Sequence, residues 1–350
     1  MARNDHQRIL KDIAESLIYN KVAFMCGAGM SFESEIPGFT KIIEHLLYDY
    51  FGNEITKEEI NHLSLKFRPE AIVAWYIENR DNGLDHLFRI LNKILEPPEA
   101  EPHEGHHLLN GFFSENYIKR IYTTNFESLI EKEFGQAGRR ITDLNLHKLD
   151  DIEGEGFIAI IHLHGHLKEK IKITEKATFE ADSKCVSEFF MEFSKKDFII
   201  FIGHSFNDDD IRQLVLRFIT DEDIKPLDDK AGVSPQQVTP KRAKLVMVAP
   251  VSNDREKEVA TGVWKSRGFI FIPMRASAFI ENLEKEIYVV KEKDAFKKLP
   301  DEMGVDPDVI QKISARLENT FTNFHQGDGI RYLSRAYLGR ILWPRKKDLA

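Results

Sequence analysis

Short, largely apolar runs recur along the chain: Val22 to Cys26, Ile118 to Tyr122, Phe157 to Leu163, Phe198 to Ile202, Leu245 to Val248 and Phe269 to Ile272. Runs without polar alternation predict strands buried on both faces of a sheet. Helical patterns fall between most of them, for example Ile211 to Ile219, and such alternation predicts a parallel sheet with helices on both faces. Between about 32 and 105 the pattern is helical and mixed in charge. It closes on Glu96-Pro97-Pro98-Glu99-Ala100-Glu101-Pro102, a stiff extended stretch, so a helical module is expected between the first and second strands. Asp221 to Lys244 reads as a polar surface loop, and two further helical patterns, Pro307 to Phe321 and Ile330 to Leu342, follow Pro300. The expected fold is α/β: a Rossmann-like parallel sheet domain over 1–300 with the inserted helical module, then a helical C-terminal extension over 301–350 that offers a surface for self-assembly or a partner.

The chain is long enough, at 350 residues, to bury a sizeable core, and 42% hydrophobic with 30% charged residues excludes wholesale disorder. Lys and Arg number 49 against 57 Asp and Glu, a formal charge of -8, so the surface as a whole repels a phosphate backbone and direct nucleic-acid binding is not expected. The basic cluster Arg345, Lys346 and Lys347 reads as a solvated tail. The charged N-terminus, with Ile9, Leu10, Ile13, Leu17 and Ile18 at helical spacing, predicts an amphipathic helix rather than a signal peptide. No apolar run approaches the ~20 residues of a spanning helix, so a cytoplasmic protein without membrane contact is expected. Only Cys26 and Cys185 are present, which leaves no disulfide framework and no Cys-x-x-Cys pair for zinc.

Ligands of parallel sheets bind beyond the carboxyl ends of the strands, and four strand ends here are small, polar or ionisable. They are Gly27-Ala28-Gly29-Met30-Ser31, Thr123-Thr124-Asn125-Phe126-Glu127, His164-Gly165-His166 and Gly203-His204-Ser205-Phe206-Asn207. The first permits a tight turn and close approach to a pyrophosphate, though a plain strand-to-helix turn has the same composition. A dehydrogenase fingerprint is disfavoured. It needs glycine where Phe32 stands and an acidic residue where Thr123 to Asn125 follow the second strand. His162, His164 and His166 alternate, as ligands of a catalytic metal on one strand face would, but Gly165 makes continued pleating doubtful and His162 reads as a satisfied core histidine. No metal is expected. Asp208 to Asp210 most simply cap a helix, and His106, with Leu109 three residues on, reads as structural.

Taken in order, the four strand ends resemble the sirtuin family. Gly27 to Ser31 followed by Ile36-Pro37-Gly38-Phe39 is similar to its first dinucleotide loop, Thr123-Thr124-Asn125 to its Thr-x-Asn element, His164-Gly165 to its catalytic His-Gly, and Gly203-His204-Ser205 to its Gly-x-Ser. More narrowly, the chain resembles the bacterial sirtuin-like NAD⁺ hydrolases of antiphage defence, which lack the zinc ribbon of deacetylases. The resemblance implies NAD⁺ as substrate. It implies catalytic roles for Asn125 and His164, and cofactor contacts from Gly27, Ala28, Gly29, Ser31, Phe39, Thr124, Glu127, Gly203 and Ser205. Glu127 stands where the family usually has Asp, so the expected contact to the nicotinamide amide is altered. Related systems imply a homo-oligomer and a HerA-type ATPase or Argonaute-like partner. The alternatives are an ADP-ribosyl- or deacyl-transferase using the same bond cleavage, and a non-catalytic nucleotide sensor.

The residue types suit that chemistry. Nicotinamide is cationic while attached and leaves neutral, so cleavage through an oxocarbenium-like transition state needs no general acid. His164, with a reference pKa near ~6.5, is suited to take a proton from water or a ribose hydroxyl, and Asn125 to hold the water and the ribose.

Overall fold

The structure is a computed structural model that describes residues 2–142, 146–168, 192–204, 211, 212, 215 and 243–303. Ser205, Asp208 to Asp210, most of the helix expected from Ile211, the loop from Asp221 and both helical patterns beyond Pro307 lie outside or largely outside the described residues.

Helix α1 (Ala2–Ile18) leads into β1 (Val22–Cys26), and α2 (Phe39–Phe51), α3 (Lys57–Lys66), α4 (Pro69–Asn79), α5 (Gly83–Leu95) and α6 (Glu104–Ser114) follow before the next strand. Then come β2 (Arg120–Thr123), α7 (Leu129–Phe134), β3 (Gly138–Ile141), α8 (Leu146–Gly154), β4 (Ile158–His162), β5 (Phe198–Ile202), β6 (Lys244–Val248), α9 (Asp254–Ser266), β7 (Phe269–Ile272) and α10 (Ala276–Met303). The chain divides into two compact units at 287/288, and of the second only residues 288–303, all helical, are described. No helix among the described residues is long and apolar enough to cross a membrane.

All seven strands are parallel, in the order β3-β4-β2-β1-β5-β6-β7. The expected α/β fold with a doubly covered sheet is the one observed. One face of the sheet, through Ala23, Met25, Tyr122, Ile161, Phe201, Met247 and Phe271, packs with Leu149 of α8 and with Ala260 and Trp264 of α9. On the other face α1 lies against β1, and Phe24 stacks on Phe112 of α6 at 6.3 Å. This double cover explains why β1, β4 and β5 are buried at every position, and why their sequences carry no alternation.

β3 is the strand that the apolar runs do not announce. Its residues, Gly138-Arg139-Arg140-Ile141, are half-buried at the sheet edge, where polar side chains are tolerated. The helices between β1 and β2 build a core of their own from Ile42, Ile43, Leu46, Val73, Tyr76, Leu87 and Leu91. Thr56 and Glu59 start α3 with a capping box, and Pro69 opens α4 where a missing N–H costs nothing. The same core takes in Phe126, Leu129 and Leu167, and so grips the loops that follow β2 and β4.

Candidate active site

The four strands whose ends are chemically unusual are the four central neighbours, β4-β2-β1-β5, and because all are parallel their carboxyl ends share one edge. The chain builds one side of the sheet from β1 through β2, β4 and β3, then crosses to β5 on the far side. The switch point therefore lies between β1 and β5, where open parallel sheets place their ligand crevice.

At that point the two glycine loops are in backbone contact. Gly27 N donates to Ile202 O at 2.9 Å and Gly29 N to Gly203 O at 2.8 Å. A Cβ at Gly27 would lie 2.7 Å from Gly203 O, and one at Gly203, where φ is +66°, would lie 2.3 Å from Met30 N. The first glycines thus serve the approach of loop to loop, a demand that the sequence alone does not reveal. Met30 N and Ser31 N also donate to loop carbonyls, of Gly27 and Ala28, so four amides of this loop are engaged within the protein. After β1 the chain makes two short 3₁₀ turns, Ala28–Met30 and Phe32–Ser34, rather than entering an α-helix directly. Ala28 and Gly29 are exposed on the rim, whereas Ser31 is buried beneath them.

Ser31, Asn125 and Glu127 form a buried polar cluster under this rim, at 0%, 6% and 3% exposure. Ser31 Oγ donates to Glu127 Oε1 at 2.5 Å, and Asn125 Nδ2 donates to the same oxygen at 2.8 Å and to Ser31 Oγ at 3.0 Å. Glu127 Oε2 accepts from Leu129 N at 2.6 Å, at the start of α7. Burial pushes the Glu127 carboxyl above the usual range, while its bonds to Ser31, Leu129 and Asn125 oppose the rise. Both oxygens of Glu127 are therefore engaged inside the protein, and its visible function is to orient Asn125. With both amide protons facing acceptors, the Asn125 amide is fixed in one sense. Its Oδ1 is buried and has no hydrogen-bond partner among the described residues. Such an orphan costs about 1–3 kcal/mol, which a ligand hydroxyl or a water placed there recovers.

The three alternating histidines do not share one face. Gly165, at φ +77°, closes a turn in which its N–H donates to His162 O, so pleating stops at His162. The His162 and His166 rings meet edge to face at 4.8 Å, whereas His164, 8% exposed, lies beside the Phe126 ring at 6.4 Å. His164 and Asn125 stand at the same end of adjacent strands, whose loops are tied by Leu163 N donating to Thr123 O at 2.9 Å. His162 and His166 do gather with Glu131, their ligand atoms within 4.8 Å of one another. The donor set does not suit a cation. His166 Nδ1 accepts from Lys168 N, leaving its proton on Nε2, and Arg140 Nε already holds Glu131 Oε1 at 2.6 Å.

Among the remaining expected residues, Thr124 is half-buried and its hydroxyl lies 3.4 Å from His204 Nε2, which links the ends of β2 and β5 across β1. His204 is a neighbour of the site that its place in the Gly203-His204-Ser205 motif points to, though the motif match itself rests on the small residues flanking it. Phe39 opens α2 and packs on the helical core. His106 is structural: its Nδ1 accepts from His103 N at the start of α6, and burial lowers its pKa to about 4. Glu131 and Arg140, which the sequence reading passed over, carry no motif signal. One sits on a helix and the other on the unannounced edge strand.

Residues 119–271 match the family model described as SIR2-like domain. The matched region runs from β2 into β7 and contains Thr124, Asn125, Glu127, His164 and Gly203, while the loop from Gly27 to Ser31 precedes it. No curated protein matches the sequence. Similar solved structures include one described as the structural basis for the mechanism and regulation of Sir2 enzymes, at 16% identity and TM-score 0.42, covering 81% of this chain and 98% of that one. A mutant Sir2 homologue in complex with ADP-ribose is similar at 16% identity and TM-score 0.42, covering 81% and 97%. Sir2 bound to an acetylated peptide is similar at 14% identity and TM-score 0.43, covering 79% and 98%.

Proposed function

We propose that this chain is an NAD⁺ hydrolase that splits the nicotinamide–ribose bond, giving nicotinamide and ADP-ribose without a metal. The observation that carries the reading is the buried, unpartnered Oδ1 of Asn125, an acceptor that Ser31 and Glu127 hold in place beside the histidine-bearing loop of β4. That oxygen accepts a hydrogen bond from the attacking water or from a ribose hydroxyl. As the C–N bond breaks, its electron pair passes to the pyridinium nitrogen and nicotinamide leaves neutral. The water oxygen bonds to the anomeric carbon, and its proton passes to His164 and then to solvent. The SIR2-like match over 119–271 supports the substrate. The loop from Gly27 to Ser31, with Phe39 and Thr124, is assigned to the NAD⁺ site, and Gly203 and Ser205 to its adenosine half.

With only Cys26 and Cys185 there are no cysteine pairs for a zinc ribbon, so hydrolysis is favoured over peptide deacylation. The setting we propose is cytoplasmic NAD⁺ depletion in antiphage defence. Restraint would come from self-assembly or from an ATPase or Argonaute-like partner.

The test is to incubate purified protein with NAD⁺ and resolve the products by chromatography and mass spectrometry, with and without a chelator. Nicotinamide and ADP-ribose in equal amounts are expected under both conditions. An acylated or protein-linked ADP-ribose product would make the chain a transferase. Binding of NAD⁺ without nicotinamide release would make it a sensor, and loss of activity on chelation would restore a metal mechanism.

A further inference from the structure

We propose that His162, as a doubly protonated ring clamped between Glu131 and the backbone carbonyl of Asn125, is the residue that positions Asn125 for catalysis. The inference rests on the assignment of Asn125 to the reaction, and it concerns a histidine outside that assigned set.

His162 ends β4 and is 1% exposed. Its Nδ1 lies 2.8 Å from Asn125 O and its Nε2 lies 3.0 Å from Glu131 Oε1. A carbonyl and a carboxylate only accept, and a neutral imidazole has one N–H to give; two acceptors at hydrogen-bond distance match a ring with two. Glu131 is the counter-charge. Burial works to raise its carboxyl, but the hydrogen bond and charge of His162, then those of Arg140, overcome this and hold it at about 2. Arg140 Nε reaches the same oxygen at 2.6 Å from β3. His166, Glu96 and Lys168 are the other ionisable groups close by. His166, edge-on at 4.8 Å, is kept neutral by burial and by the charges of His162 and Arg140, with its pKa near about 4. Glu96 stands 4.0 Å from His166 Nε2 and is engaged by Lys168 at 3.2 Å.

The clamp matters because it completes the immobilisation of one residue. Asn125 N donates to Thr123 Oγ1 at 3.0 Å, and its carbonyl accepts from His162, so the peptide groups on both sides of its Cα are fixed. Ser31 and Glu127 then fix the side chain. Positioning at this level decides rate rather than affinity, since a displacement of about 1 Å costs on the order of 10²-fold in turnover.

Nitrogen-15 NMR of the full-length, histidine-labelled protein tests the clamp without any turnover, with the His162 signal assigned by its loss in His162→Phe. Two protonated ring nitrogens are expected for His162 at pH 7.5, and one in Glu131→Gln. His162→Phe keeps the ring volume and deletes both donors; kcat should fall ~10²-fold with KM for NAD⁺ within about twofold. Glu131→Gln leaves the histidine in place, so it keeps the test alive if His162→Phe does not fold. Its kcat should fall as well, with KM for NAD⁺ again within about twofold. A single ring proton on His162 in the wild type overturns the proposal, as does a change confined to KM or an unaltered kcat in both variants. If the wild type cleaves no NAD⁺, the reaction reading fails while the ring-proton count still decides the clamp.

Discussion

Asn125 Nδ2 donates to Glu127 Oε1 at 2.8 Å, a hydrogen bond between residues two apart in one loop that leaves Asn125 Oδ1 without a partner among the described residues. If that oxygen holds the water or the ribose, Asn125→Ala should lower nicotinamide release by ~10² or more. Glu127→Ala frees the amide to rotate and should lower kcat as well. Because both act through the same oxygen, the double variant should be no slower than Asn125→Ala alone. Additive losses would separate Glu127 from the orientation of Asn125.

His164→Ala should lower turnover by ~10² or more while circular dichroism and the thermal midpoint stay near those of the wild type. Retained nicotinamide release would remove His164 from the mechanism.

Gly203→Ala should destabilise the protein strongly. The position has φ +66°, and an added Cβ would meet Met30 N at 2.3 Å and Gly29 C at 2.5 Å. A left-handed backbone and overpacking together cost about 2–5 kcal/mol. Urea denaturation measures the loss. A midpoint within error of the wild type would show that the β1 and β5 loops are not packed together as described.

Stability should fall in mild acid. Burial lowers His106 and His166 from 6.5 to about 4, so between those values the unfolded chain binds more protons than the folded one. Their contribution is complete above pH 6.5 and is lost as pH falls toward 4. Glu131, lowered from 4.5 to about 2, acts in the opposite ionisation but loses its contribution only below 4.5. Glu127, raised by burial, takes up its proton above 4.5 in the folded state and opposes the decline, which between pH 6.5 and 4.5 comes from the histidines. Denaturation midpoints at pH 7.5 and 5 should differ less in His106→Gln, which keeps an acceptor for His103 N; an equal difference would exclude His106 as a source.

Much of the fold was legible because burial on both faces leaves a local mark. The runs Val22 to Cys26, Phe198 to Ile202 and Phe269 to Ile272 match β1, β5 and β7 residue for residue. β3 was not legible, since an edge strand needs no apolar run and Arg139 and Arg140 read as surface. The residues at the four strand ends were legible because the carboxyl edge of a parallel sheet is where chemistry collects. Which of them touch was not, as the separation of His164 from His162 and His166 depends on the turn at Gly165.

What the sequence determined by itself is therefore the strand pattern, the parallel architecture and the cast of polar residues after each strand, all set by local hydrophobicity and chain order. What only the tertiary structure decided is the partnering: Gly203 against Gly29, Glu127 and Ser31 on Asn125, and Glu131 with Arg140 on His162. All but the Asn125–Glu127 bond join residues on different elements, many of them far apart along the chain. Their strength comes from burial and aligned geometry, and neither exists until the sheet has brought β3, β4, β2, β1 and β5 side by side.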